Sequence, residues 1–485
     1  MKRKLLLVAA SCCSLFSVAQ SLNWSAEVTV ANGSTYGSTR PRVTATAGNV
    51  PLVVWGSSAS DQLNYARGNG AGFGMAMPLT PGNVDPAVMN WQGHDLASNG
   101  NTVYVVFKSE PEMMGNIYIR KSTDGGVTWT DTVRVNMMGP YCRFPSIAVT
   151  DADNPAVMYM TFDMNWMSAT YVVANSTDGG QTFPMSPANA SGVGNSDVCD
   201  CCPGYMTTDG STQVATWRRN SNNRRDMWAA VSSNAGSTFP TGIDVDSTDW
   251  MISSCPSSGP DPHLSGDTVV TVFMSGASGS NRLYITTFNI LTGMEGFDAE
   301  LATNISSTAD QNYPFIAGNG DTMMVVWQQN DNGNVNTYYT WSMTGAAGLV
   351  NNAVLLNSST AGMQSNPHVA YSNGMFHVVF TDMASGNVIY KSATIVPNAL
   401  SEEEQGSLLS VYPNPSGSEV TLDVSRLEGH DGCLTVTDAA GRVVMSTLFS
   451  GTASVLIERQ PAGVFIAEIT DEVTGAKFIL RIVFD

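Results

Sequence analysis

Hydrophobic and polar positions alternate in short runs along this chain, and seven of those runs end in an aromatic: Leu52–Trp55, Tyr104–Phe107, Tyr159–Phe162, Val214–Trp217, Val270–Phe273, Met324–Trp327 and His377–Phe380. The aromatics recur at intervals of 52 to 56 residues. Each run has the length of a strand rather than a helix, and so regular a period marks an internal repeat. Ahead of most runs stands a Pro-x-apolar element: Pro41-Arg42-Val43, Pro145-Ser146-Ile147, Pro203-Gly204-Tyr205, Pro262-His263-Leu264, Pro314-Phe315-Ile316 and Pro367-His368-Val369. The second repeat has His94-Asp95-Leu96 in that place. After each aromatic come a polar loop, a third strand such as Asn116–Arg120, and a fourth such as Thr132–Val135.

Four strands in a unit of about 54 residues predict the blade of a β-propeller. The expected fold is therefore all-β: a seven-bladed β-propeller, with six blades as the alternative, followed by a small C-terminal β-sandwich. The seventh repeat has no fourth strand after Val388–Lys391, while Trp24–Val30 shares the W-x-x-x-V-x-V spacing of Trp129–Val135. The N-terminal segment is thus expected as the outer strand of the last blade, where it removes an open edge.

A turn motif follows the third strand. Ser122-Thr123-Asp124-Gly125-Gly126-Val127-Thr128-Trp129 returns as Ser176-Thr177-Asp178-Gly179-Gly180-Gln181-Thr182-Phe183, and more weakly as Ser232-Ser233-Asn234-Ala235-Gly236-Ser237-Thr238-Phe239. A short Asp or Asn side chain can accept backbone N–H groups ahead of it, glycine permits positive φ, and the aromatic anchors the turn. The pattern resembles the Asp-box, or BNR repeat, of sialidase-like β-propellers. The box residues Ser122, Asp124, Gly126, Trp129, Ser176, Asp178, Gly180, Phe183, Ser232, Asn234, Gly236 and Phe239 are read as structural, since such turns stabilise folds and seldom perform chemistry.

The ends of the chain carry addresses. Lys2, Arg3 and Lys4, the apolar run Leu5–Val18 and the small residues Ser17 and Ala19 read as a secretory leader spanning 1–19. A lipoprotein reading through Cys12 is the alternative. The propeller is assigned to 20–396, and a solvated linker with Glu402-Glu403-Glu404 to 397–409. From 410 to 485, Tyr412-Pro413-Asn414-Pro415, the Ala439-Ala440-Gly441-Arg442 turn and Pro461-Ala462-Gly463-Val464-Phe465 resemble the type A C-terminal sorting domain of the type IX secretion system. The resemblance implies the secretion machinery as a partner and a secreted or outer-membrane-surface location. The ending Arg481–Asp485 departs from the basic tail of that family.

Composition narrows the function. Charged residues are 13% of the chain, glycines number 45, and the formal net charge is −19. That balance suits a many-turned β protein and repels nucleic acid and anionic membranes. No transmembrane span is expected. In an exported chain, Cys142, Cys199, Cys201, Cys202 and Cys255 are disulfide candidates, with a soft-metal site at Asp197–Pro203 as the alternative. Ca²⁺ is the one cofactor suggested, at Asp151–Asn154 and Asp331–Asn334, but these stretches lack full calcium-loop spacing and read as solvated turns.

Chemistry is expected at the channel mouth, where loops lead into and out of the innermost strands. The ligand-binding candidates are Arg40, His94, Asp95, Arg143, Asp163, Arg218, Arg219, Asp261, His263, Tyr313, His368 and Asp382, with Trp91, Trp166, Trp228 and Trp250 as aromatics that could stack on sugars. Resemblance to sialidases would imply three arginines on a substrate carboxylate, a Tyr–Glu nucleophile pair and an Asp acid/base. Arg143-Phe144-Pro145 is similar to that family's Arg-Ile-Pro element, but no arginine lies between Arg282 and Arg426, so the later part of the cluster has no residue. His94, His263 and His368, at matching repeat positions, could converge on a metal or each be satisfied by a neighbouring backbone group. The function expected is extracellular recognition of carbohydrate or protein; the alternative is a glycan-processing hydrolase or lyase at the mouth.

Overall fold

The computed structural model describes residues 20–32, 40–57, 62–89, 91–137, 141–193, 197–397, 409–427, 431–438, 442–471 and 477–485. The leader, with Cys12, and nearly all of the linker lie outside the described residues. The chain forms two compact units, one spanning Leu22–Ile395 and the other built on Val396–Asp485.

The first unit consists of antiparallel sheets, six of four strands and one of five. Their first strands are Arg42–Thr46, Asp95–Asn99, Tyr141–Val149, Tyr205–Asp209, Asp261–Ser265, Asp310–Asn319 and Gln364–Ser372, and the sheets are numbered one to seven in that order. Each first strand packs against the first strand of the next sheet, and Gln364–Ser372 returns to pack against Arg42–Thr46. The result is a closed circle around a channel. Each sheet is covered on both faces by its neighbours, which explains why second strands such as Val50–Ser57 read as continuous apolar runs rather than alternating ones. Trp55, Trp217 and Trp327 are almost wholly enclosed.

The seventh sheet takes its outer strands from the N-terminus. Both Gln20–Trp24 and Val28–Ala31 pair with Asn387–Pro397, with Val28 opposite Tyr390 and Thr29 opposite Ile389. Trp24 donates its indole N–H to the Tyr339 hydroxyl at 3.0 Å and meets that ring edge-on at 4.9 Å. The Glu27 carboxylate accepts the Ser358 N–H at 2.6 Å. These contacts tie the start of the chain to sheets six and seven.

In the second unit, Ser410–Tyr412, Val420–Asp423 and Ser454–Ile457 form one sheet, and Asp431–Asp438, Val443–Ser450, Gly463–Asp471 and Lys477–Phe484 form another. Both contribute to one apolar core that includes Leu422, Val436, Phe465 and Ile482.

The tie at Trp24 is testable. Trp24→Ala should lower stability by about 2 kcal/mol, less than a fully buried tryptophan because this one is only partly buried. Chemical denaturation of both forms measures it; an unchanged midpoint would mean that the N-terminal strands contribute nothing.

Candidate functional site

The turn motifs are built as their residue types require. In the first, Ser122 Oγ accepts the Gly126 N–H at 2.8 Å, and Asp124 Oδ1 accepts the N–H groups of Val127 and Thr128 at 3.0 and 2.9 Å. The second repeats these bonds from Ser176 and Asp178. The third keeps Gly236 on Ser232 and Thr238 on Asn234. Hydrogen bonds from Thr182, with help from Ser176, pull the Asp178 carboxyl down to about 2. Gly126 has φ of 89°, and a Cβ there would stand 2.1 Å from Leu52 of the preceding sheet, so the turn fits only without a side chain. Trp129 meets Tyr65 edge-on, Phe183 is half-buried and Phe239 is buried. Each motif therefore cements two sheets together.

Strand register identifies what faces the channel. One layer holds Arg42 opposite Val54, Asp95 opposite Val106, Tyr205 opposite Thr216, Asp261 opposite Val272, Phe315 opposite Val326 and His368 opposite Val379. A register shift between Arg143 and Ser146 puts Ser146 opposite Met158 in sheet three. This corrects the sequence alignment of the histidines. His94 lies one residue before the layer and His263 two residues beyond it, so only His368 belongs to it.

Three members of the layer do the same job. Asp95 Oδ2 accepts the N–H of Ile147 at 3.1 Å, Asp261 Oδ2 that of Ile316 at 2.8 Å, and His368 Nδ1 that of Val43 at 3.2 Å. In each case a side chain on one sheet holds the backbone of the next. The other two histidines also meet backbone: His94 Nε2 lies 3.0 Å from the Val54 carbonyl and His263 Nε2 3.1 Å from that of Gly320. Burial, with Arg42 beside it, pushes His94 down to about 3. Burial also lowers His368, reinforced by Arg42 and Arg40, and lowers His263. All three rings are neutral and bound to separate backbone groups, so they do not converge.

The channel holds a cavity of about 330 Å³ lined by Asp95, Ser146, Tyr205, Asp261, Phe315 and His368 together with the small Thr44, Ala97, Ala148, Ala317 and Ala370. A second, much smaller cavity of about 10 Å³ is lined by Arg40, Arg42, Tyr205, Tyr313 and Phe315, and Tyr205 and Phe315 line both. Arg42 lies over the Phe315 ring at 4.3 Å, and Arg40 donates to the Tyr205 hydroxyl. Asp261 is pushed up to about 8 by burial, with the Asp95 carboxylate adding to the effect. Burial raises Asp95 too, against the pull of Arg42.

The rim is polar and aromatic. Arg143 pairs with Glu112 at 2.6 Å, donates to the Asp200 carbonyl at 3.3 Å and lies 5.1 Å from the Trp166 ring. Trp166 stacks on Tyr141 with centroids 4.7 Å apart, and Trp91 packs against the same apolar layer. Arg40, just before the first strand of sheet one, has φ of 40°; Phe144, Tyr313 and Asn366, at register shifts within the first strands of sheets three, six and seven, have 51°, 52° and 52°; and Trp166 has 59°. Positive φ outside glycine is strained, and such strain gathers at working surfaces.

Other candidates are committed to the fold. Arg218 is fully buried and donates to the carbonyls of Ser258, Arg225 and Met274 at 2.9, 2.9 and 2.6 Å, so it holds sheets four and five together and offers a ligand nothing. Arg219 lies over Trp228 at 5.1 Å. Asp163 closes its own loop by accepting the N–H groups of Asn165 and Met167, and Asp382 that of Ala384. Trp228 and Trp250 are buried packing residues.

Of the five candidate cysteines only Cys201 and Cys255 are joined; Cys142, Cys199 and Cys202 are free and buried. Cys142 lies in sheet three with its thiol 3.3 Å from the Gly115 carbonyl, away from the other four. Among the described residues, the metal-compatible grouping of His, Cys, Asp and Glu is Cys199, Cys201 and Cys202. Asp151–Asn154 forms a turn through Asp153 N–H to the Thr150 carbonyl. Sequence reasoning passed over Tyr205 and Phe315 as channel residues, although both follow a proline of the repeat. It also passed over Arg225, for which no sequence signal exists.

The protonated Asp261 sets a pH dependence. Between about pH 4 and pH 8 the unfolded chain loses a proton that the folded chain keeps, so this group's contribution to stability falls as pH rises through that window. Asp261→Asn keeps an acceptor for Ile316 and removes the titration. Its melting temperature relative to the wild type should therefore be higher at pH 8 than at pH 4.5; an equal offset at both pH values would show that Asp261 titrates normally.

Among solved structures, the chain is similar to a family PL25 polysaccharide lyase, an ulvan lyase with -[GlcA(1-4)Rha3S]- bound, at 9% identity and a TM-score of 0.51, covering 74% of this chain and 95% of that one. Looser similarities are to the Trypanosoma rangeli sialidase, at 9% identity and a TM-score of 0.44 over 92% and 84% of the two chains, and to an α-L-arabinofuranosidase of Fusarium graminearum, at 13% and 0.42 over 62% and 92%. At these identities the likeness is one of fold, an all-β propeller-like architecture. No curated protein matches the chain. No helix among the described residues is long and apolar enough to cross a membrane. Residues 410–483 match the family model of the secretion system C-terminal sorting domain, and a chain with such a segment is exported and attached at the cell surface.

Proposed function

We propose that this chain is a seven-bladed, Asp-box β-propeller, 20–396, preceded by a leader at 1–19 and followed by a linker and a β-sandwich sorting domain at 410–485, and that it recognises extracellular carbohydrate at the channel mouth. The observation that carries recognition over turnover is the employment of the channel carboxylates. Asp95 and Asp261 line one cavity, the arrangement a glycoside hydrolase would need, yet each already holds the backbone of the next sheet. Tyr205, which lines the same cavity, is itself held by a hydrogen bond from Arg40. What faces outward is the Arg143, Tyr141, Trp166 and Trp91 rim, an aromatic and guanidinium surface of the kind that stacks on sugar rings and hydrogen-bonds their substituents.

A glycan-array screen of the exported protein, with a degradation assay on every glycan that binds, tests this reading. Binding without turnover is expected, with at least tenfold weaker binding for Trp166→Ala and Arg143→Ala, while Asp95→Asn leaves it unchanged. Turnover that Asp95→Asn abolishes would overturn recognition in favour of a hydrolase or lyase. Absence of glycan binding would reject carbohydrate and leave protein as the ligand class. Removal of 410–485 should leave the protein inside the outer membrane; surface display of the truncated form, read by protease accessibility on whole cells, would refute the sorting role.

A further inference from the structure

Four cysteines meet where two loops lead into the first strands of sheets four and five. Cys201 and Cys255 are bonded, with Cα atoms 6.3 Å apart. Cys199 Sγ lies 3.6 Å from Cys201 Sγ, about the contact distance of two sulfurs, and the sulfurs of Cys199, Cys201 and Cys202 are all within 4.8 Å of one another. Cys199 and Cys202 are fully buried, whereas Cys255 is exposed. Arg225 donates from Nη1 to Cys199 Sγ at 2.9 Å, and the Arg225 carbonyl is itself held by the buried Arg218. Two guanidinium groups thus stand where a bound cation would need negative charge, and they favour a sulfur anion instead. The thiols respond in opposite directions: a hydrogen bond from Cys202, together with Arg225 and Arg218, draws Cys199 down to about 7, and burial drives Cys202 well up.

We propose that this cluster is a thiol–disulfide exchange site with Cys199 as nucleophile, the Cys201–Cys255 bond as electrophile and Cys202 as the resolving thiol. The Cys199 thiolate attacks Cys201 Sγ, the new S–S bond forms as the old one breaks, and the electron pair leaves on Cys255, which takes a proton from the water it faces. Cys202 then attacks Cys199; Cys201 departs and receives the proton that Cys202 gives up. One disulfide has moved from a pair with one exposed member to a buried pair, two electrons are conserved, and no outside oxidant or reductant is consumed. The two loops are untied, and Cys255 becomes a surface thiol able to exchange with soluble disulfides. The motif Cys199-Asp200-Cys201-Cys202 supplies the attacking and resolving sulfurs at Cys-x-x-Cys spacing.

Iodoacetamide labelling of the native full-length exported protein, without reductant and mapped by peptide mass, tests the exchange. Alkylation traps the released thiol, so the product accumulates even where equilibrium favours the starting bond. Wild type should become labelled at Cys255 with Cys199 recovered in a disulfide to Cys201 or Cys202. Cys199→Ser should label at least tenfold more slowly, and Arg225→Lys, which keeps the charge but loses the guanidinium geometry, should fall between. Labelling of Cys255 at equal rates in wild type and Cys199→Ser would overturn the proposal. So would a persistent Cys201–Cys255 bond in every form, or a native mass showing a metal ion on the four cysteines.

Discussion

A sheet that buries both faces cannot stand alone, and the rest of this structure depends on that constraint. Each sheet of the first unit presents apolar residues to the sheet before it and the sheet after it, so the array is satisfied only when the last meets the first. Closure is achieved by the packing of Gln364–Ser372 on Arg42–Thr46, and on the outside by the N-terminal strands paired with Asn387–Pro397. A second consequence is that backbone groups of the first strands face a narrow channel. Side chains must meet those that the ladders leave unpaired, and Asp95, Asp261 and His368 do so.

That demand sets the chemistry of the interior. Carboxylates and imidazoles in a channel look like catalytic equipment, but a group committed to a backbone amide is poorly placed to shuttle protons. Burial then favours neutral forms on both sides, raising Asp261 and lowering His94 and His368. The stability curve has opposing slopes in consequence. Neutral histidines favour the folded chain less as pH falls below the ordinary imidazole range, and the protonated aspartate favours it less as pH rises.

The rim and the cysteine cluster escape the closure requirement. The cysteines lie on loops that lead into first strands, and the rim is drawn from the start of one first strand and from the loops beside it, where neighbouring sheets do not dictate every contact. Arg143 belongs to both regions, since it stacks on Trp166 and donates to the Asp200 carbonyl within the cysteine loop. A change in the bonding of that loop would bear directly on the orientation of a rim residue.

The repeat itself was legible in the amino-acid order, because a period near 54 residues with an aromatic closing each run is a local pattern that strand pairing preserves. The turn motifs were legible for the same reason: the side-chain bonds of Asp124 and Ser122 end within four residues. The sorting segment was also readable, through ordered short motifs. Register was not. One residue of offset separates His94 from the channel layer and two separate His263, and sheets three, six and seven each carry a register shift that only strand pairing reveals. Nor could order along the chain foretell that Arg218 would be swallowed between sheets four and five, or that Arg225, 26 positions beyond Cys199, would rest on its sulfur. Contacts made within a few residues follow from local chemistry; contacts made across sheets exist only once the circle has closed.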